Sequence, residues 1–449
     1  MKKLIALLIV LALTACLFVG CSDTANDPGT PSSNGGSSNN DPKPTDPNTP
    51  SEPVEIEFWI GLSGAYGEAI QAQVDAYNAS QDKVHVTVVY QGSYNDCATA
   101  TQAAIMAGNQ PNLVQLEVSK VAPFQGDGAL LDLTPFIEAE NYDMSDFYEG
   151  LMSFSYGSDG HVYSMPFNRS TFILYYNADL FAEKGLSVPT NWTELAQVGK
   201  AVTDPANKMW GLTAPEQGIY LELWVMQLGG VVLNEDESDI GYNNDIGLKA
   251  MQFLRGAVDD GWYQAASGQE FVSNDSVRTA FINKNVAMLY SSSGDITTLQ
   301  NSCDFTVGTA ILPAADGRAP VSTTGGANIA ALAGHSEEEN AATWDFIKYL
   351  VSSESTGSFA QSTGYLPVRK SVMDSPDWKA FVEANPNFAT PAEMLNYCVG
   401  RPYNYNYTTF YYTYENNALA KVVSSESDRP ELQEILDELS TSARAVFAG

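Results

Sequence analysis

Positive charge is scarce in this chain: 22 Lys and Arg stand against 54 Asp and Glu, a formal charge of -32. Phosphate backbones and anionic lipid surfaces are bound through basic patches, so neither nucleic acid nor a lipid surface is an expected partner. Histidine is scarcer still. His85, His161 and His335 are far apart in sequence, and His85 falls inside the alternating segment KVHVTVVY, where it reads as a solvent-facing strand residue. Of five cysteines, two lie in the first 21 residues. The others, Cys97, Cys303 and Cys398, are odd in number and lack C-x-x-C spacing, so neither a disulfide framework nor a zinc site is expected. The H-E-x-x-H, G-x-S-x-G, Walker and Rossmann fingerprints are all missing. The acidic runs at 235–237 and 337–339 read as solvated surface, and GNQP and TTGGAN read as turns. These absences leave no catalytic residue, cofactor or metal to expect.

One long apolar run is present, at 4–19, preceded by two lysines and followed by small residues and cysteine, the pattern of a secretory signal. It is shorter than the roughly 20 residues that span a bilayer as a helix. A lipoprotein signal ends in small residues before a cysteine that becomes acylated, and two cysteines compete for that role. Leu13-Thr14-Ala15-Cys16 has leucine in the better place, whereas Cys21 is followed by the polar Ser22-Asp23-Thr24. Cys21 is taken as the lipidation site, with Cys16 as the alternative. From 22 to 53 the chain is Asp, Asn, Pro, Gly, Ser and Thr with almost no large apolar residue, a composition that cannot offset its ordering entropy and serves as a tether. Signal peptide 1–20 and tether 21–53 suit a body displayed on the outer face of a Gram-positive cell membrane.

From Val54 onward the chain is long enough for two or three domains at about 150 residues each. VEIEFWIG and KVHVTVVY read as strands with a helix between them, carried by Ile70, Val74 and Tyr77. A second helix over 97–106 leads to the strand PNLVQL, and the same rhythm returns at TFILYYN, NWTELAQVGKAVTD and AATWDFIKYLVSS. Strands separated by helices of this length indicate βαβ units and an α/β fold.

Seven segments in order, IEFWIGLSGAYG, VVYQGSYND, AGNQPNLVQLEV, YSMPFNRSTFILYYNADLF, VAMLYSSSGDI, TTGGANIAAL and STGYLPVRKSVM, resemble the extracellular solute-binding proteins of ABC importers, in the branch of the glycerol-3-phosphate-binding and sugar-binding proteins. The resemblance implies a two-lobed periplasmic-binding-protein-like fold of type II, closing on a ligand between hinge-connected lobes. Lobe one would comprise 54–167 and 325–353, and lobe two 168–322 and 354–449, with FNRST and TTGGAN on the crossover strands. Transferred residue by residue, the family's ligand contacts fall on Tyr94, Glu117, Ser170, Ser292, Gly326 and Tyr365. A carboxylate accepts two hydroxyls of a diol, a tyrosine offers a flat face with a polar rim, and glycine permits close backbone approach.

One departure changes the expected ligand. The glycerol-phosphate binders carry an arginine near the start of a C-terminal helix, and an ungapped count from Met394-Leu395-Asn396 puts Glu415 there. Arg401 and Arg169 are the substitutes in reach, and 403–416 is dense in tyrosine instead. The implied function is non-enzymatic capture of a neutral mono- or oligosaccharide by a lipid-anchored, monomeric protein that delivers it to ABC permease subunits. The alternatives are a glycerol-3-phosphate or glycerophosphodiester binder of the same fold, a surface carbohydrate-active hydrolase, and a sugar-binding sensor without a permease.

Overall fold

The computed structural model describes residues 52–264, 274–402 and 404–448; the expected signal, both candidate lipidation cysteines and the tether up to residue 51 lie outside them. The first strand, β1 (Val54–Ile60), points Ile56, Phe58 and Ile60 into the core and is followed by the helix Gly64–Ser80. The second, β2 (Val84–Tyr90), pairs parallel to β1 from Val54↔Val84 to Ile60↔Tyr90. Its alternation turns Val84 and Val86 inward and leaves His85 exposed, with Nδ1 2.9 Å from Glu55 Oε2, as the pattern of KVHVTVVY requires. The helix Tyr94–Ala107 follows, begun by a Ser93/Asp96 capping box and ended by Gly108 in the left-handed region. It leads into β3 (Leu113–Glu117), parallel to β1.

Two long strands join this sheet to the next. One is β4 (Met165–Asn177) and the other is β8 (Ser322–Ala331). They pair antiparallel from Met165↔Ile329 to Thr171↔Thr324, and β8 also pairs antiparallel with β3. From Phe172 onward β4 belongs to a second sheet, antiparallel to β6 (Val286–Ser292) and to β7 (Val307–Ala310). There β5 (Trp210–Thr213) lies parallel to β6, and β9 (Cys398–Val399) adds two residues beside β8. TTGGAN is therefore strand rather than turn, since its amides and carbonyls are taken up by the ladders to β3 and β4.

Apolar residues separate accordingly. Phe58, Ile70, Val86, Phe346 and Ile347 form one core, and Trp192, Trp224, Leu254 and Tyr290 form another. A smaller cluster of Cys97, Val114, Leu116 and Ala330 covers the other face of the first sheet, because Leu113 and Ile329 alternate with these residues toward the first core. The helix Ser353–Thr363, expected in lobe two, leans on lobe one instead: Phe359, Tyr365 and Val368 belong to its core, Phe359 stacks on Phe167 at 5.1 Å, and Gln73 Nε2 donates to Ser355 Oγ at 2.7 Å. Val372, Trp378, Phe388 and Met394 pack in the second core. The run Glu337-Glu338-Glu339 forms the first turn of the helix Glu337–Leu350, where Glu339 closes a capping box with Ser336 and negative charge meets the positive end of the helix. No helix among the described residues is long and apolar enough to cross a membrane.

Candidate ligand-binding cleft

Between the two cores the crossing strands carry polar residues that are nonetheless buried, namely Asn168, Arg169, Ser170 and Thr171 on β4 facing Thr324 on β8. Such groups are tolerated only when hydrogen-bonded. Arg169 donates to the carbonyls of Gly325 and Leu151, to Asn328 Oδ1 and to Thr324 Oγ1, at 2.6 to 3.1 Å. Burial lowers its pKa to about 9, which keeps it protonated at neutral pH. It ties the crossover together and is not the anion ligand that the sequence offered as a substitute. The register of β4 shifts between Pro166 and Asn168, and the opposing Gly326 has φ +87; a Cβ there would fall 2.0 Å from the Asn168 carbonyl oxygen. Only glycine fits that contact in that conformation.

A cleft of about 660 Å³ opens beside this crossover. Six of the seven residues singled out from sequence line it: Tyr94, Glu117, Ser170, Ser292, Gly326 and Tyr365. A chain of hydrogen bonds fixes the first. Gly61 N donates to Gln115 Oε1 at 2.9 Å, Gln115 Nε2 to Asn168 Oδ1 at 2.8 Å, and Asn168 Nδ2 to the Tyr94 phenol at 2.7 Å. Burial raises the Tyr94 and Tyr365 pKa values, so both phenols stay protonated. The Tyr365 ring stacks on Phe359 at 5.9 Å and takes an edge contact from Tyr66 at 5.7 Å. Glu117 ends β3 and caps the helix Val118–Gly126, accepting from Ser119 N at 3.0 Å and from the Ser119 hydroxyl. Ser292 ends β6 and accepts from Gly294 N at 3.2 Å.

Glu415 does not line the cleft. It is wholly buried, accepts from the Tyr242 phenol at 2.6 Å, and has its pKa raised well above the ordinary carboxylate range by burial and then by the neighbouring Glu222. It stands at the end of Tyr411–Glu415, a π-helical stretch between the helices Tyr407–Phe410 and Asn416–Val423. An added residue per turn rotates the residues beyond it. The cation that reaches the cleft from this side is Arg401, with Nη1 3.6 Å from Glu117 Oε1 and Nε 3.7 Å from Glu222 Oε2. Its guanidinium lies over the rings of Tyr407 and Tyr411, 5.4 and 4.8 Å from their centroids.

Sequence reasoning missed the second cleft arginine. Arg278, on the helix Asn274–Ile282, donates from Nη1 to Asp295 Oδ1 at 2.5 Å and from Nη2 to Asp275. Burial works against its charge, and Asp295 followed by Asp275 outweighs that and raises its pKa. In sequence Arg278 is a lone basic residue on an amphipathic helix, indistinguishable from solvated surface. Tyr66, Phe172, Tyr220, Tyr411 and Tyr412 complete the aromatic lining. Tyr66 lies in the segment IEFWIGLSGAYG, and only the approach of two lobes gives it this place.

Two sheets joined by long crossing strands around a polar cleft define a two-lobed binding-protein fold, and solved structures share it. The structure of UgpB from Mycobacterium tuberculosis in complex with glycerophosphocholine aligns with TM-score 0.76 at 21% identity, covering 88% of this chain and 98% of that one. The cyclic alpha-maltosyl-1,6-maltose binding protein from Arthrobacter globiformis aligns with TM-score 0.75 at 24% identity, covering 88% and 99%. By sequence, the sn-glycerol-3-phosphate-binding periplasmic protein UgpB of Yersinia pseudotuberculosis serotype I is 27% identical over 360 residues, 76% of this chain and 81% of that protein. The pattern of the bacterial extracellular solute-binding proteins matches residues 72–390, and the chain belongs to that family, the binding components of ABC importers.

Proposed function

We propose that this protein captures a neutral mono- or oligosaccharide between its lobes and hands it, unaltered, to the permease of an ABC importer. The observation that carries this reading is the pairing of the cleft cations. Arg401 is faced by Glu117 and Glu222, and Arg278 by Asp275 and Asp295, so an incoming phosphate finds each positive charge already matched. The expectation of a neutral ligand started from Glu415 at the family's arginine position; what supports it here is the compensation of the arginines that line the cleft. Tyr66, Tyr94, Tyr365 and Tyr411 supply flat faces for a sugar ring, and Glu117, Ser170 and Ser292 supply polar atoms for its hydroxyls, with Gly326 leaving room for the backbone to approach. The arrangement acts by binding and closure, with no catalytic residue assigned.

The lobe division that goes with this reading is 54–167 with 325–353 in one lobe and the rest in the other, save that the handover after 353 moves to about 369. The body is monomeric and is held at the outer face of the membrane by a lipid on Cys21, or on Cys16, through the 22–53 tether. Replacing each cysteine by alanine and labelling cells with an alkynyl fatty acid tests the anchor: loss of label only in Cys21→Ala assigns it, and label retained in the double variant refutes it. One observation favours a second reading. Arg401 does face the cleft beside Tyr411, and the UgpB relatives bind glycerol 3-phosphate and glycerophosphocholine, so a glycerophosphodiester is the competing ligand. A thermal-shift screen of the mature protein against neutral sugars, polyols, glycerol 3-phosphate and glycerophosphocholine separates the two, because a ligand that binds only the folded state raises the melting temperature by mass action. A response confined to the phosphates would overturn the carbohydrate reading. Recovery of shortened oligosaccharides would replace binding by hydrolysis.

A further inference from the structure

Behind the cleft wall lies a buried acid cluster that touches no ligand space. Glu222, on the fully buried helix Gly218–Gln227, and Glu415 are both completely inaccessible, and neither lines the cleft. Tyr407 donates its phenol proton to Glu222 Oε1 and Tyr242 donates to Glu415 Oε1, which leaves Glu222 Oε2 and Glu415 Oε2 each without a donor. One proton shared between the carboxyls satisfies both orphan oxygens, since a protonated acid donates where an ionised one can only accept. The raised pKa of Glu415, from burial and then from Glu222, agrees with this assignment. The pair then carries one negative charge, and the nearest cation to Glu222 is Arg401, whose Nε, itself without a hydrogen bond, lies 3.7 Å from Glu222 Oε2.

We propose that Glu222 is a specificity-determining residue of the cleft: it neutralises Arg401 from behind, and so excludes anionic ligands without touching any ligand. The inference deepens the proposed function and rests on that reading of the same cleft. Arg401 stands between two carboxylates, Glu117 at 3.6 Å on the cleft side and Glu222 at 3.7 Å behind. A guanidinium with only Glu117 as partner would offer its remaining donors to a phosphate; with Glu222 added, the local balance is one cation to two anions. Burial magnifies the effect, because water cannot screen Glu222. Tyr407 strengthens the assembly by bonding to both partners, since Arg401 Nη2 donates to its oxygen at 3.3 Å while its proton goes to Glu222.

The test measures calorimetric affinity for glycerol 3-phosphate in the wild type and in Glu222→Gln, Glu222→Asp and Glu415→Gln. Glu222→Gln removes the charge behind Arg401 and should gain affinity for the phosphate by on the order of tenfold or more. Glu222→Asp keeps the charge and should keep the exclusion, an effect that damage to packing would not reproduce. Glu415→Gln replaces a group that already carries the proton and should leave phosphate affinity as in the wild type. If Glu222→Gln does not fold, Glu222→Met combined with Tyr407→Phe removes the acceptor and donor of the Tyr407–Glu222 bond together, frees Arg401 Nη2 from the Tyr407 oxygen, and should show the same gain. Equal phosphate affinity in wild type and folded Glu222→Gln, or an equal gain in Glu415→Gln, would overturn the inference. A neutral sugar that binds the wild type while Glu222→Gln gains nothing would defeat the inference and leave the proposed function standing. Phosphate gain in Glu222→Gln with no sugar bound by the wild type would do the reverse.

Discussion

The phenol of Tyr66 donates to the carbonyl of Gly294 at 2.8 Å, joining the helix Gly64–Ser80 of one lobe to the turn after β6 of the other. Thr298 Oγ1 lies 3.0 Å from the same phenol oxygen, and the Tyr66 ring edge meets Tyr365 in the cleft. A second tie runs from the Thr408 hydroxyl to the Ser119 carbonyl at 2.6 Å. These contacts exist only while the lobes are together, so they weight the equilibrium between open and closed forms.

Tyr66→Phe removes the tie and keeps the ring. A net hydrogen bond contributes about 1 kcal/mol, so the closed form should lose several-fold in population and ligand affinity should fall by up to about fivefold. Small-angle scattering of the unliganded variant should give a larger radius of gyration than the wild type. An unchanged radius together with unchanged affinity would remove Tyr66 from the closure.

Asn168→Ala cuts the chain that runs from Gly61 through Gln115 to Tyr94. Gln115 Nε2, fully buried, then lacks an acceptor, and the unmet donor costs about 1 to 3 kcal/mol. Denaturant unfolding should show that loss. Ligand affinity should fall as well, because the Tyr94 phenol loses its amide donor and keeps only Tyr365 as a side-chain partner; retained affinity would mean that Tyr94 is not a contact.

Adjacent glycines of β8 should respond in opposite ways. Gly326→Ala meets the Asn168 carbonyl oxygen at 2.0 Å in a backbone conformation strained for alanine, and a cost of at least about 2 kcal/mol is expected. Gly325→Ala places its Cβ at an ordinary 3.4 Å from Ser170 Oγ, so the melting temperature should be near that of the wild type while the narrower cleft binds ligand more weakly. Similar melting temperatures for the two variants would contradict the register of β8 against β4.

Stability should depend on pH through Glu415. Its folded pKa is raised, by burial first and by Glu222 second, above an unfolded value near 4.3. Between the two the unfolded chain has released a proton that the folded chain keeps, so this group's contribution is favourable at low pH and is lost as pH rises from the unfolded value toward the folded one. Glu415→Gln holds the neutral form permanently. Its melting temperature should exceed that of the wild type by a margin that widens from pH 5 to pH 8; a constant margin would place the shared proton elsewhere.

His161 has a partner that favours its charged form. Its Nδ1 lies 2.6 Å from Asp132 Oδ2, and this hydrogen bond, followed by the charge of Asp132, raises its pKa. The contribution is complete below about pH 6.5, the usual unfolded value, and is lost as pH rises through the folded one. The stability difference between wild type and His161→Gln, followed by thermal melts from pH 5 to pH 9, should shrink toward the alkaline end.

Much of the fold is written locally. The alternation of VEIEFWI and VHVTVVY fixes which faces of β1 and β2 turn inward, and Ser93 and Ser336 announce helix starts three residues ahead of their Asp96 and Glu339 partners. These signals depend on periods of two or about four residues, which one strand or one turn satisfies unaided. Six cleft residues could be placed in sequence because the family resemblance runs through contiguous segments; Glu117 and Ser292 end strands, Ser170 and Gly326 lie on the crossover, Tyr94 begins a helix and Tyr365 follows one. The site's charge could not. Arg278 owes its place to the packing of its helix against Asp295, and Arg401 to Glu117 and Glu222, which are 284 and 179 positions away in the chain. Glu415 is buried away from the cleft at the end of a π-helical stretch, a departure from the regular helix that no local pattern announces. Electrostatic balance in a cleft is a sum over groups that meet only after the chain has crossed between lobes, so composition sets its sign overall and tertiary structure alone decides which charges face the ligand.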